Sequence, residues 1–343
     1  MEEVLKSRSG DAVKKQKVKN IIITLLPIAA LVVLFAVYVA IILANDYNLA
    51  INLETIVNQA IVLVLVATGA IFIFTLGSFD ISLGASTLFS ATVGIVVFNA
   101  TGSLLLLFLT CIAVAVACSL LNSVLSSVFH LPMFVMTVAM LSVLTSVAGT
   151  IITTNSTSAG ANPAISVSDS VLRDILGSVD TVWFKVLILA LFAVVCIFVF
   201  NFTKVGRRQK FLGGNPVCAK MTGIPLSVYG IIAFVMAGIG VGLGAAVNVT
   251  YTMSVSTGTA SDIGMSVFIA IVFGGMPISG GARSRIYAAI VGGFSYIILN
   301  NILNLLLSTV DGRYGYVQLI SAVLFLAIVY VASINYRVKH LPR

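Results

Sequence analysis

Apolar residues run along the chain in long blocks that polar residues interrupt at only a few places. A helix crosses roughly 30 Å of hydrocarbon with about 20 such residues. That length picks out ten blocks: 21–43, 54–75, 83–99, 103–127, 131–152, 182–202, 226–249, 262–275, 285–307 and 315–336. They predict an all-α polytopic membrane protein with about ten transmembrane helices. One transmembrane domain, 21–336, lies between a basic tail at 1–20 and a short tail at 337–343. The first block follows a stretch too polar for a leader peptide and has no small-residue cleavage site, so it is expected as a retained span. Two blocks look too short to cross alone. Residues 83–98 would rise about 24 Å as a helix, and 263–275 about 20 Å.

Composition removes the soluble alternative. The chain is 59% hydrophobic and 9% charged, whereas a soluble domain carries about 25% charged residues. The net charge of +8 points to nucleic acid only until its placement is considered. Sixteen of the nineteen Lys and Arg fall in the N-terminal tail, the polar loops of one parity and the C-terminal tail; the exceptions are Arg173, Lys185 and Arg313. Most acids, among them Asp46, Asp169, Asp174, Asp180, Asp262 and Asp311, fall in loops of the other parity. This is the positive-inside pattern, with both termini cytoplasmic. No basic stripe carries interleaved aromatics, and no nucleic-acid partner is expected. The longest external loop, 153–181, is rich in Ser, Thr, Asn and Gly and suits a surface shown to an outside partner or to substrate. Cys111, Cys118, Cys196 and Cys218 have no metal-site spacing and read as small apolar fillers; no metal is expected.

The central interruption, 203–225, has the sequence TKVGRRQKFLGGNPVCAKMTGIP and holds five cations and no acid. Its second half predicts one short bounded helix. Asn215 is a good N-cap, and Pro216 suits the first helical position. Gly223 can supply a left-handed residue past the end, and Pro225 stops continuation. A helix of about seven residues is too short to hold itself together in water, so it must pack on something else. Two readings stand: a loop helix resting on lipid headgroups, or a peg that receives a push from a soluble motor.

LGSFDISLGA, from Leu76 to Ala85, matches FGGMPISGGA, from Phe273 to Ala282, with Gly77/Gly274, Ile81/Ile278, Ser82/Ser279, Gly84/Gly281 and Ala85/Ala282 in register. The match reads as a duplicated element or as a coincidence of two glycine-rich turns. Short, Gly-interrupted spans at matching places are a pointer to a transport site, which makes Gly77, Asp80, Ser82, Gly84, Gly274, Gly275, Ser279, Gly280 and Gly281 candidates for the translocation path. Asp80 lies between two apolar blocks, where a charge near the bilayer centre costs about 2.5–3.5 kcal/mol or more. It either pins the turn as a cap to the next helix, touches substrate, or is solvated in a loop. Asn58, Gln59, Asn122, Asn300, Asn301 and Asn304 are polar residues within spans that either bind hydroxyls or join helices. Asn300 and Asn304 share a face, while Asn301 points elsewhere. Catalytic motifs are missing, so a catalytic role is not expected. An ion-driven carrier buries several ionisable groups, and here Asp80 is nearly the only candidate besides Glu54. The energy source is then expected outside the chain.

These residues resemble the ribose/xylose/galactoside-type permease subunits of ATP-binding-cassette importers, in the superfamily of branched-chain amino acid and monosaccharide permeases. The pieces that carry the resemblance lie between about Leu53 and Leu306: LETIVNQA, GSFDISLGAS, LNSVLSSVFHLPMFVMTVAML, the GGN-P-x-x-A-x-x-x-G-I loop, FGGMPISGGARSR and LNNILNLL. The resemblance implies a type II-like importer permease working as a dimer with a second copy or paralogue. It implies cytoplasmic ATPase subunits that hold ATP and Mg, and an extracytoplasmic sugar-binding protein. Gly213, Gly214, Asn215, Pro216, Ala219, Lys220 and Gly223 then form the coupling helix and its flanks. The chain departs from the family at Gly77-Ser78-Phe79-Asp80, where Gly-Gly-Ile-Asp is usual. It departs again at Ser146-Val147-Ala148, where an Arg is frequent, and at Arg283 and Arg285, where small residues are common.

Overall fold

The structure is a computed structural model and describes residues 25–129, 131–156, 163–167, 169–260, 262–308 and 312–340. The predicted basic tail at 1–20 lies outside these residues. All ten predicted blocks are helices. In chain order the long ones are α1 (Leu25–Ala44), α2 (Leu49–Thr75), α3 (Leu83–Thr101), α4 (Leu104–Val128), α5 (Met133–Thr154), α7 (Val182–Phe202), α10 (Leu226–Thr252), α12 (Tyr287–Leu306) and α13 (Arg313–His340). The tenth, α11 (Ile263–Phe273), is short. Among the described residues, eight helices, α1 to α5, α7, α10 and α12, are long and apolar enough to cross a membrane.

Boundaries follow local chemistry. Asn48 Oδ1 accepts from the Ala50 and Ile51 N–H groups, which starts α2 five residues ahead of the predicted 54 and places Glu54 on an exposed turn of the helix. Ser103 caps α4 and Thr181 caps α7 in the same way. The expected shortness of the third block is corrected: α3 continues through Thr101 to a left-handed Gly102, so its 19 residues rise about 28 Å. The expectation holds for α11, whose 11 residues rise about 16 Å. At the C-terminus, α13 runs on to His340, well into the predicted tail.

The body is built around α2, every residue of which from Ala60 to Thr75 is buried. Beside it α10 carries two interleaved small-residue rows that let backbones approach closely. A methyl at Gly240 would stand 2.6 Å from the Leu65 carbonyl oxygen of α2, and one at Gly238 would stand 2.8 Å from Val116 Cα of α4. α10 is thus wedged between α2 and α4.

Four of the described elements, β1, β2, α6 and α8, were not expected. Within the 153–181 loop, β1 (Ala164–Ser166) pairs antiparallel with β2 (Ser254–Ser256), with Ile165 opposite Val255. α6 (Ser170–Val179) follows, capped by Asp169. In the central loop, α8 (Lys204–Gly214) precedes the expected short helix, α9 (Pro216–Met221). β1, β2 and α6 lie at one end of the bundle; α8, α9 and both glycine turns lie at the other. Pro27 packs on Gly275, and α13 passes Asn300 at Ser321 and then Phe268 at Phe325. The described chain therefore starts and finishes at the α8 end.

Candidate functional site

The basic loop folds as two helices with different attachments. Thr203 Oγ1 accepts from the Val205 N–H and starts α8 directly where α7 stops. The inner face of α8 is Gly206, Gln209 and Gly213, with Leu212 beside them. Gly206 lies against the Phe200 carbonyl, and Gln209 Nε2 donates to the Tyr229 carbonyl at 3.1 Å. Arg208 Nη1 donates to the Tyr229 hydroxyl at 2.6 Å. Lys210 sits over the Phe200 ring at 4.1 Å, and burial together with the nearby Arg285 guanidinium holds its ammonium below the ordinary lysine value.

The helix α9 is bounded as its sequence predicts. Asn215 Oδ1 accepts from the Cys218 N–H at 3.0 Å, with Pro216 at the first position. Gly223 is left-handed at φ +75, and the Ile224 N–H returns to the Ala219 carbonyl while the Gly223 N–H returns to Lys220. This double return is a Schellman closure. Ala219 is fully buried, whereas Val217 and Met221 are 70% and 84% exposed, with Cys218 and Lys220 also outside. Val217 and Met221, four residues apart, thus share the exposed face of α9.

Glycines join this loop to the bundle. A methyl at Gly213 would overlap the Thr75 carbonyl oxygen at the end of α2 and would lie 2.9 Å from the Gly281 N. Gly281 in turn abuts Gly214, and a methyl at Gly280 would lie 2.6 Å from the Thr75 oxygen and 2.9 Å from the Gly77 N. The two glycine turns thus touch each other as well as α8. The positive-φ residues that follow the helix ends are Gly77 (φ +76) and Gly275 (φ +85), each one past a helix cap; the second turn adds Gly280 and Gly281. The helix ends therefore correspond one residue away from the Gly77/Gly274 sequence register. Beyond the turns the two copies diverge: Leu83 opens α3 at once, while Gly281–Arg283 forms a single 3-10 turn before α12. Ser279 is exposed and approaches Gly77 only through its backbone.

Asp80 is buried, which removes the reading of a solvated loop acid. Its Oδ1 accepts from the Ser82 N–H at 2.7 Å and the Ser82 hydroxyl at 2.6 Å, and Asn122 Nδ2 donates to that same hydroxyl at 2.9 Å. It pins the turn, but Ser82 rather than Asp80 occupies the cap position of α3. Next to it, Phe79 joins Phe74, Phe134 and Phe268 with ring centroids 4.8–6.3 Å apart, and Phe268 continues to Phe325. Gly264, at the start of α11, lies against the Ile81 carbonyl, and a methyl there would stand 3.6 Å from the Gly84 N. The first turns of α3 and α11 therefore meet beside a polar cluster and an aromatic one.

The polar span residues separate into two groups. Asn122 belongs to the Asp80 network. The others lie away from it: Asn301 Nδ2 donates to Gln59 Oε1 at 2.9 Å and Ser321 donates to Asn300 Oδ1 at 2.8 Å, which join elements, while Asn304 only returns to the Asn300 carbonyl within α12. Asn58 holds the group that sequence reasoning missed. Lys185, only 1% exposed, pairs with Asp180, donates to Asn58 Oδ1 at 2.5 Å and lies 5.1 Å from the Tyr251 ring centroid. Asp80 is therefore not nearly alone as a buried charge. The signal was a Lys in the first turn of an apolar block with an Asp five residues before it.

Residues 52–332 match the family described as the branched-chain amino acid transport system permease component. The chain belongs to that family. A stretch of 224 residues is 24% identical to the L-arabinose ABC transporter permease protein AraH of Azospirillum brasilense, covering 64% of this chain and 62% of that protein. Another of 123 residues is 26% identical to the xylose transport system permease protein XylH of Haemophilus influenzae, covering 36% and 32%. The matched stretch thus spans less than two thirds of either curated relative. No solved structure matches the chain. The resemblance drawn from the loop and the turns names the family correctly, and the matched region contains every element of the candidate site.

Proposed function

We propose that the chain is the membrane-spanning subunit of an ATP-driven importer and forms the path for a monosaccharide, a pentose or hexose delivered by an extracytoplasmic binding protein. ATP and Mg bind a cytoplasmic ATPase subunit, and a second permease copy or paralogue completes the path. The α8 end faces the cytoplasm in the cell membrane, as the distribution of Lys and Arg favours.

The observation that carries this reading is α9. It is capped at both ends, shows Val217 and Met221 to water, and is joined through α8 and Gly213 to the end of the central helix α2. A push on α9 therefore reaches the turn that holds Phe79, Asp80 and Ser82. Aromatic faces interspersed with a few fixed polar groups suit a small polyhydroxylated solute. The arabinose and xylose relatives support the sugar class, while the family's description supports a branched-chain amino acid as the second reading. Proteoliposomes holding the full chain, its ATPase and its binding protein, given labelled arabinose, xylose or leucine, separate the two. ATP-dependent pentose accumulation is expected. Accumulation without nucleotide hydrolysis, or of leucine alone, overturns the proposal.

A further inference from the structure

The charge pattern assigns Asp262 to an outer loop, but the packing of α11 places it inside the bundle. Gly264 lies against the Ile81 carbonyl. The next residue, Ser82, accepts from Asn122 Nδ2 at 2.9 Å. Asn122 stands five turns, or about 27 Å, along α4 from Leu104, where that helix starts at the β1–β2 end. On the other side the Ile81 N–H donates to Thr137 Oγ1 at 3.4 Å, one turn from the opposite end of α5. Asp262 is two residues ahead of Gly264, so it too lies deep between the ends of the spans. α11 is short because it begins at this depth.

Two features of the approach to α11 are foreign to hydrocarbon. Residues 257–260 are turns rather than helix, with Thr257 and Gly258 exposed, and Asp262 is exposed as well. Non-helical backbone at membrane depth survives only inside protein or against water. An ionised carboxylate has the same requirement, and that of Asp262 caps no N–H of its own helix. The turn before it is fixed: the Ser256 N–H donates to Thr259 Oγ1 at 2.9 Å, and the Thr259 N–H returns to the Ser256 carbonyl at 2.9 Å. The rings of Phe79, two residues before Ile81, and Phe268, on α11, are half-buried with centroids 4.8 Å apart. A carboxylate near aromatic faces suits a polyhydroxylated solute, whose hydroxyls donate to the oxygens while its C–H groups meet a ring.

We propose that residues 257–260 and Asp262 line a water-filled path, and that the Asp262 carboxylate accepts hydrogen bonds from the hydroxyls of the passing monosaccharide. The hydroxyl contact rests on the monosaccharide reading above, whereas the water-filled path follows from depth and exposure alone.

The test uses the full-length protein in nanodiscs, with Cys218→Ser removing the one exposed cysteine. Asp262→Cys and, separately, Thr257→Cys are treated with a charged, membrane-impermeant methanethiosulfonate, and labelling is read by mass spectrometry. Both are expected to react, while Leu191→Cys, on the exposed apolar face of α7, stays unlabelled. An Asp262→Cys as unreactive as Leu191→Cys overturns the path. Arabinose or xylose is then expected to slow the labelling of Thr257→Cys. Adding Asp262→Asn keeps an acceptor and an equally good cap residue but removes the charge. The pentose concentration that gives half protection should rise on the order of tenfold. Unchanged protection in Asp262→Asn overturns the hydroxyl contact alone. Protection by leucine and not by pentose overturns that contact together with the monosaccharide reading.

Discussion

The buried pair Lys185–Asp180 sets up an unequal double-mutant cycle. Lys185 is 1% exposed, while the Asp180 side chain keeps 23% of its exposure. Removing either partner leaves the other uncompensated, and the cost depends on how much water the survivor can reach. Breaking a buried pair costs about 3–5 kcal/mol. Asp180→Leu leaves an ammonium with only the Asn58 amide oxygen and the Tyr251 ring, so it should lie at the upper part of that range. Lys185→Met leaves a carboxylate that water partly solvates, and solvent screening lowers its cost to about 2 kcal/mol. Replacing both with apolar residues of similar size removes the uncompensated charge and returns close to the starting stability. The double change Lys185→Met with Asp180→Leu should therefore be milder than Asp180→Leu alone. The assay is the midpoint of cooperative unfolding in detergent for the four proteins, with expression and insertion checked first. Two results would refute the reasoning: Lys185→Met costing more than Asp180→Leu, or a double variant whose loss equals the sum of the singles.

Further expectations concern the glycine junction and the turn. Gly214 has nothing within 4 Å of a built methyl, so Gly214→Trp should leave thermal stability in place while abolishing ATPase-coupled uptake; normal uptake would exclude docking at that edge. Gly213→Ala should instead destabilise by about 3 kcal/mol, because its methyl meets fixed backbone on two sides, and the unfolding midpoint shows this. Ala219→Trp is expected to disrupt α9 itself, since Ala219 is fully buried, and limited proteolysis of the loop should speed up. Asp80→Asn keeps one acceptor for the Ser82 N–H, whereas Asp80→Ala leaves that donor buried and unpaired at about 1–3 kcal/mol; equal unfolding midpoints for the two variants would remove the pinning role.

The spans were legible because hydrocarbon imposes one rule on every crossing, and charge placement then fixed the parity of the ends. Helix α9 was legible down to single residues, since Asn215, Pro216 and Gly223 each satisfy a local backbone demand. What was missed is non-local. The inner face of α8 is Gly206, Gln209 and Gly213, and its helicity comes from packing on Phe200, Thr75 and Tyr229, none of which a window of the chain contains. The β1–β2 pair joins segments about ninety residues apart and has too few residues in each strand to show a period of two. GIGVGLG in α10 could have been recognised as two offset small-residue rows, yet only the structure says that one faces α2 and the other α4. The glycine turns gave the opposite difficulty. Their sequence match is real, but the left-handed position moves from Gly77 to Gly275, because a helix stops where its last carbonyls find donors and not where residues align.

The central loop gives a push on α9 a rigid route into the bundle. A peg on a flexible tether would dissipate a push, and one rigidly fused to the bundle could not move without dragging lipid-anchored elements along. Here α9 contacts the body through Ala219 and is continued by α8, whose Gly213 meets the Thr75 oxygen and whose Gly214 meets Gly281. These are backbone-to-backbone contacts with no side chain between them to absorb displacement, and close-packed interiors pass small shifts on. The next residues along that line are Gly77, Phe79 and Asp80, at the start of the aromatic row and the Asn122 network.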